Sequence, residues 1–274
     1  MKDLYLVDGH MHLEYGDLSE EYVMEFVDEA VRKGLDEICI LDHSHRFVEF
    51  KPCYEHLRIY PLQSAWLDKP THFNSTLDEY HVLIDKMKKK DLPIKVSFGL
   101  EVCYTYNTER MLKEILAGHD FDFLTGAIHS FDFLMYDLPI SKALLWDRFS
   151  ADDIYREYFA AVMRCVNSGV FDRLAHPDTI KMNNVYPTYD LTDTYAELAK
   201  ALKQNGMIAE CNTGVHYRYG HKDIGLSDEL LDILLKEGVE IITASDAHKP
   251  EEVGNFIKEA TLRIKERQLS LMDK

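Results

Sequence analysis

The sequence predicts an α/β protein, a mostly parallel sheet with helical crossovers, and three observations carry that reading. Seven apolar runs of strand length recur along the 274 residues. Segments with helical periodicity separate most of them. Every run but the sixth closes on a residue able to bind a metal ion or an anion.

Taken in order, "LYLVD" (4–8) is the first strand, and "SEEYVMEFVDEAVRKG" (19–34) the first helix. Ser19 caps that helix, apolar residues fall at 23, 26, 27, 30 and 31, and Gly34 ends it. "EICILDH" (37–43) follows, then a helix from about "TLDEYHVLIDKMKKK" and the strand "IKVSFGLE" (94–101). "FDFLTGAIH" (121–129) precedes a long amphipathic helix over about 151–168, and "FDRLAH" (171–176), "MIAECNT" (207–213) and "EIITASDAH" (240–248) complete the series. An open doubly wound sheet also fits this alternation, although it gathers ligands in one crevice. No repeat, low-complexity tract or linker divides residues 1–274, so a single catalytic domain is expected. The irregular stretches 44–76 and 130–150 are long enough to be lids or substrate walls.

Composition narrows the class. With 46% hydrophobic and 29% charged residues, the chain has the balance of a soluble globular protein. A net charge of -17, with no Lys/Arg run to offset it, argues against nucleic acid as partner; "KMKKK" (86–90) is the solvated end of a helix. An acidic protein acting on an anion needs a local positive centre, such as bound metal or inward arginines. No stretch is long and apolar enough for a membrane span, and "MKDLYLVDGH" lacks the apolar core of a signal peptide. Five cysteines, odd in number and without a close pair, suit a reducing cytoplasm. Nothing in the sequence reports the oligomeric state.

The run ends supply His10 and His12, Asp42 and His43, Glu101, His129, His176, and Asp246 with His248. In a parallel barrel all strand C-termini open on one face, so these residues would converge there. So many imidazoles and carboxylates in one bowl need compensation, and divalent cations supply it. Imidazole with carboxylate suits zinc, manganese or iron. Residues two apart on a strand point the same way, so His10 and His12 can reach one ion, and Asp246 with His248 follows the same spacing. Glu101 can bridge two ions, as an imidazole cannot. At about three or four ligands per ion, two or three metals fit. Asp8 and Asp42 are expected to support neighbouring ligands. His45, His56, His72, His81, His119, His216 and His221 are expected mostly at the surface or behind the ligands.

The order His-x-His, Asp-His, Glu, His, His-Pro, Asp-x-His resembles the PHP phosphoesterase superfamily. Longer phrases are similar to its histidinol-phosphate phosphatases: "LDEY" (77–80), "GLEVCY" (99–104), "FDFLTGAIHSFD" (121–132), "FDRLAHPDTIK" (171–181), "AECNTG" (209–214) and "ASDAHKPEEVG" (244–254). The resemblance implies a distorted (β/α)7 barrel with a trinuclear metal site at its C-terminal face. It implies that His10, His12, Glu101 and Asp246 hold the first ion. Glu101 would bridge to a second ion, held also by His129 and His176, and Asp17, His43 and His248 would hold a third. The loop after "LDHSH" and the segment "GVHYRYGHKDIG" depart from the family pattern.

The chemistry that follows is attack on phosphorus by a hydroxide bridging two ions, with no Ser or Cys nucleophile. Arg218 is expected to clamp the phosphate, with Arg46, Arg148 and Lys181 as weaker candidates. Asp17, His43 or a metal-bound water is expected to protonate the leaving group. L-histidinol phosphate is the substrate the resemblance implies, a small phosphorylated molecule whose ammonium and imidazole call for an acidic or aromatic wall. Tyr54, Trp66, Phe131, Phe133 and Trp146 are the aromatic candidates for it. The rival readings are another small phosphate ester or nucleotide, and a metal-binding regulatory module without turnover.

Overall fold

The computed structural model describes residues 4–272; residues 1–3, on which the expected lack of a signal peptide partly rests, and 273–274 lie outside them. The strands are β1 (Val7–Met11), β2 (Glu37–His43), β3 (Lys95–Cys103) and β4 (Phe123–Ala127), then a short antiparallel hairpin of β5 (Ser130–Phe131) and β6 (Leu134–Met135), and β7 (Arg173–Leu174), β8 (Ile208–Asn212) and β9 (Ile241–Ala244). Omitting the hairpin, seven strands pair in parallel and in chain order. The first then meets the end of the last: Asp246 N–H donates to His10 O at 2.9 Å, and His12 N–H to Ala247 O at 2.7 Å. A strand order without reversal, closing on itself, is a distorted (β/α)7 barrel and removes the doubly wound alternative. The fifth barrel strand is only two residues long, shorter than "FDRLAH" suggests.

The helices are α1 (Glu20–Arg32), α2 (Lys51–Tyr54), α3 (Pro61–Leu67), α4 (Leu77–Met87), α5 (Glu109–Leu116), α6 (Ala151–Asn167), α7 (Thr192–Asn205), α8 (Gly214–Tyr219), α9 (Asp228–Glu237) and α10 (Ile257–Met272). Ser19 caps α1 by accepting from Tyr22 N–H, and Thr76 with Glu79 forms a capping box on α4. Val23, Phe26, Val27 and Ala30 turn the apolar face of α1 into the core, whereas Val31 stays exposed. The segment 44–76 is a chain of short helical turns with α2 and α3, not an open loop. No helix among the described residues is long and apolar enough to cross a membrane, and the five cysteines are buried and unpaired.

Strand alternation sorts side chains between the barrel interior and the surrounding core. Ile38 and Ile40 of β2 join the large core, while Cys39 and Leu41 form a separate small cluster with Phe123. Gly99 leaves the space that the Phe123 ring fills, since a Cβ there would collide with it. The buried Arg173 guanidinium stacks on the same ring, its central carbon 3.6 Å from the centroid. Two residues further along these strands, at His43 and Glu101, the interior changes character.

Candidate metal centre

Alternation along β1 turns His10 and His12 to one side, both fully buried, with their Nε2 atoms 2.8 Å apart. Asp246 Oδ1 stands 3.3 Å from His12 Nε2 and 3.9 Å from His10 Nε2. Behind them, His10 Nδ1 meets both oxygens of Glu210, at 2.9 and 3.0 Å. That pairing holds a proton on Nδ1; burial opposes a second, but Glu210 and Glu101 raise His10 well above the ordinary imidazole range, so without cations Nε2 is protonated toward His12, and a bound cation would displace that proton.

Glu101 divides the centre. Its Oε1 lies 3.0 Å from His176 Nε2 and 3.5 Å from His129 Nε2. Its Oε2 faces the other way, 2.5 Å from His43 Nδ1 and 3.7 Å from both His10 and His12 Nε2. The His43 approach is close but off the hydrogen-bond line, and Oε2 has no aligned hydrogen-bond partner. Three donor groups result, each with its ligand atoms within 4.8 Å of one another: His10, His12 and Asp246; Glu101, His129 and His176; and His12, His43 and His248.

The third group departs from the expectation. Glu14, rather than Asp17, stands beside it, its oxygens 3.6 Å from His43 Nε2 and 3.6 Å from His248 Nε2. Asp17 is exposed and lines an adjoining groove with Asp78 and Glu79, which shares Glu14, Tyr15, Arg46 and Thr71 with the main cavity. The cause is local: the chain turns at Glu14–Gly16, with Gly16 N–H on Leu13 O and Arg46 holding Gly16 O, and the turn carries Asp17 outward. Of the two side chains expected to protonate a leaving group, only His43 lies in the cavity.

These residues fit bound divalent cations. Nitrogen faces nitrogen at 2.8 Å between His10 and His12 and at 3.5 Å between His43 and His248, and a cation satisfies both lone pairs of such a pair. Burial pushes His129 down to about 3 and holds His12 and His248 low, so these imidazoles are neutral ligands. Burial opposes ionisation of Glu101 and Glu14, but His43 and the neighbouring imidazoles hold both below the usual carboxylate range. Burial likewise opposes charge on His43, yet Glu101 and Glu14 push it up to about 9. Without cations, a proton on His43 supplies positive charge that a metal would displace. Two residues of the bowl, His176 (φ 29°) and Asp246 (φ 60°), sit in the left-handed backbone region, which costs about 1–3 kcal/mol each and concentrates at functional sites.

Arg218 reaches the centre from α8. Its guanidinium bonds Asp246 Oδ2 at 2.5 Å, contacts the Asp246 carbonyl, and lies 3.0 Å from His248 Nδ1. Gly214 makes this possible, because a Cβ there would strike the guanidinium. The weaker cation candidates are engaged elsewhere. Arg46 binds Leu13 O, Gly16 O and Asp42; Lys181 binds Asp178 and Gly225 O; Arg148 is exposed beside Phe149. Asp42 thus anchors Arg46 and accepts from His43 N–H, and Asp8 accepts from Ser245 and Gly254 to fix the end of β9.

The bowl opens into a cavity of about 450 Å³. Tyr54 and Trp66 line it; Phe131 and Phe133 face a different hollow, and Trp146 donates to Tyr136 O outside it. His45 and His72, expected at the surface or behind the ligands, also line the cavity. Their rings lie 4.6 Å from each other and 5.2 and 4.2 Å from Trp66. Asp137 lines it too, with a buried unpartnered Oδ1 and a carboxyl that burial pushes up to about 7. The signals for Glu14 and Glu210 were present: Glu14 continues the alternation of His10 and His12, and Glu210 is an acid inside an apolar strand. Asp137 and the ring cluster have no such signature.

The PHP domain model matches residues 8–214. The chain belongs to the PHP domain family. Its PHP relatives include the Deinococcus radiodurans protein named "Probable histidinol-phosphatase", 25% identical over 95% of this chain and 93% of that one. The Bacillus subtilis histidinol-phosphatase is 24% identical over 90% of this chain and 95% of that protein. Among solved structures, the Lactococcus lactis histidinol phosphate phosphatase, complexed with zinc, L-histidinol and phosphate, superposes with a TM-score of 0.70 at 20% identity, covering 97% of this chain and 94% of that one. The PHP barrel reading of the sequence is borne out.

Proposed function

We propose that this PHP protein is a metal-dependent phosphatase that hydrolyses L-histidinol phosphate to L-histidinol and phosphate, a step of histidine biosynthesis. The observation that carries the reading is Glu101 between two buried donor groups, whose neighbours His43, His129 and His176 line a cavity large enough for a small ester. His10, His12, Asp246 and Glu101 would hold one cation, Glu101, His129 and His176 a second, and His43, His248 and Glu14 a third. Zinc, manganese and iron all suit that donor set. Bound there, such cations neutralise phosphoryl oxygens and bring a water's pKa toward neutrality.

The chain's own residues do the remaining work. Glu210 fixes the tautomer of His10, and Asp246 orients Arg218, which we assign as the phosphate clamp. Asp137, unpartnered at the wall, is an acidic counterpart for a cationic leaving group; Tyr54 and the ring cluster of His45, Trp66 and His72 give the flat surface its imidazole needs. The same reading takes residues 1–274 as one catalytic domain acting in the cytoplasm on a small substrate, with no role for nucleic acid.

The test is phosphate release by protein reconstituted with zinc or manganese, comparing L-histidinol phosphate with other small esters and nucleotides. Preference for L-histidinol phosphate by at least about tenfold in kcat/KM supports the proposal. Preference for another ester overturns the substrate, and inertness toward every ester with metal bound overturns the activity.

A further inference from the structure

Gln63 is a fully buried amide on α3, one turn before Trp66. Its Nε2 donates to Leu57 O and to Phe133 O, each at 2.9 Å, and its Oε1 accepts from Met135 N–H at 3.0 Å. The flipped amide would set its oxygen against two carbonyls, so the network fixes the orientation. Burying such a group among apolar neighbours is costly unless every bond is made, and all three bonds go to backbone. Two of them cross from the segment 44–76 to the segment 130–150.

The hairpin that Gln63 grips is strained. Its two-residue turn, Asp132 and Phe133, has φ of 45° and 65°, the pattern of a type I′ turn, which favours Asn-Gly or Asp-Gly rather than phenylalanine at the second position. Phe133, partly exposed and left-handed, packs its ring edge-on against His56, and Gln63 holds its carbonyl. The hairpin leaves directly from His129, to which Tyr136 N–H returns a hydrogen bond, and it delivers Met135 and Asp137 to the cavity. On the other side, α3 delivers Trp66.

We infer that Gln63 is a positioning residue that sets the separation of the two cavity walls, Trp66 on one and Met135 with Asp137 on the other, and thereby the fit of the leaving group. The inference rests on the proposed substrate. It concerns the walls alone, since Gln63 touches none of the metal-binding candidates.

The experiment compares Gln63→Met, of similar length and without the amide, with Gln63→Glu, which keeps the acceptor for Met135 N–H and, as the buried neutral acid, can donate to only one of the two carbonyls. Each is assayed on L-histidinol phosphate and on p-nitrophenyl phosphate, whose activated leaving group needs little orientation. The expected result is a KM for L-histidinol phosphate raised about tenfold, with kcat and both constants for p-nitrophenyl phosphate held within about threefold. Metal content stays unchanged, and amide exchange over residues 130–137 accelerates. Adding Phe133→Gly, which gives the turn the sequence it favours, restores most of the lost KM. Equal losses on both esters, no change on either, or failure of Phe133→Gly to restore KM overturns the inference. A wild-type protein inactive on L-histidinol phosphate instead sinks the substrate reading; unaltered exchange over 130–137 in the variants then overturns the wall-positioning role.

Discussion

The lower and upper layers of the barrel interior are built on the same strands, two residues apart, and behave as different materials. Below, Cys39, Leu41 and Phe123 pack against one another, and the Arg173 guanidinium lies on the Phe123 face. Above, His43 follows Leu41 and Glu101 follows Gly99, and the ring of imidazoles and carboxylates leaves Glu101 Oε2 buried without a hydrogen-bond partner and sets His10 against His12 and His43 against His248, nitrogen to nitrogen. The lower layer is complete as protein. The upper layer is complete only with cations, so substitutions should act on stability below and on metal and turnover above.

The sharpest way to break this contrast is Glu101→Ala. It should lower phosphate release by about 10³-fold or more and reduce metal per chain, while the fold persists, because the loss falls between ions rather than in the packing. Metal analysis beside a phosphate-release assay checks both. Next is the pair Glu14→Ala and Asp17→Ala. The first should cost about 10²-fold in turnover with loss of one ion per chain, and the second should stay within about twofold. Comparable losses in both would reinstate Asp17.

Leu41→Ala tests the lower layer. It should destabilise the protein by about 2–5 kcal/mol in denaturant unfolding, with turnover per bound metal nearly unchanged. The smallest effect is in pH. In chelated protein the folded-state pKa of His43, raised to about 9, makes its proton stabilising below about 6.5, and that contribution disappears as pH rises through 9. The chelated protein should therefore melt roughly 5 °C lower at pH 9.5 than at pH 6.5, and the metal-loaded protein should show no such drop.

The sequence made the barrel and most of the centre legible because strand alternation and strand-end position are properties of the chain itself. His10, His12, His43, Glu101, His129, His176, Asp246 and His248 all sit where a β-run stops, and the barrel brings them together. Asp17 was expected from family pattern alone, and the turn at Glu14–Gly16 carries it to an exposed position. The same two-residue rule that pairs His10 with His12 points on to Glu14. The walls were less legible. Asp137, the His45–Trp66–His72 cluster and the grip of Gln63 on the hairpin depend on how two irregular segments fold against each other, and no periodicity encodes that. Arg46 and Arg218 look alike in sequence and both line the cavity; only their partners separate a brace for the β1 loop from a group bound to Asp246 and His248.

The central claim is that cations sit on both sides of Glu101. Anomalous diffraction from crystals of the zinc-reconstituted protein tests it most directly. The account predicts one peak among His10, His12 and Asp246, a second between Glu101, His129 and His176, and a third beside Glu14, His43 and His248. A bowl without peaks, or metal at Asp17 with Glu14 unengaged, would contradict it.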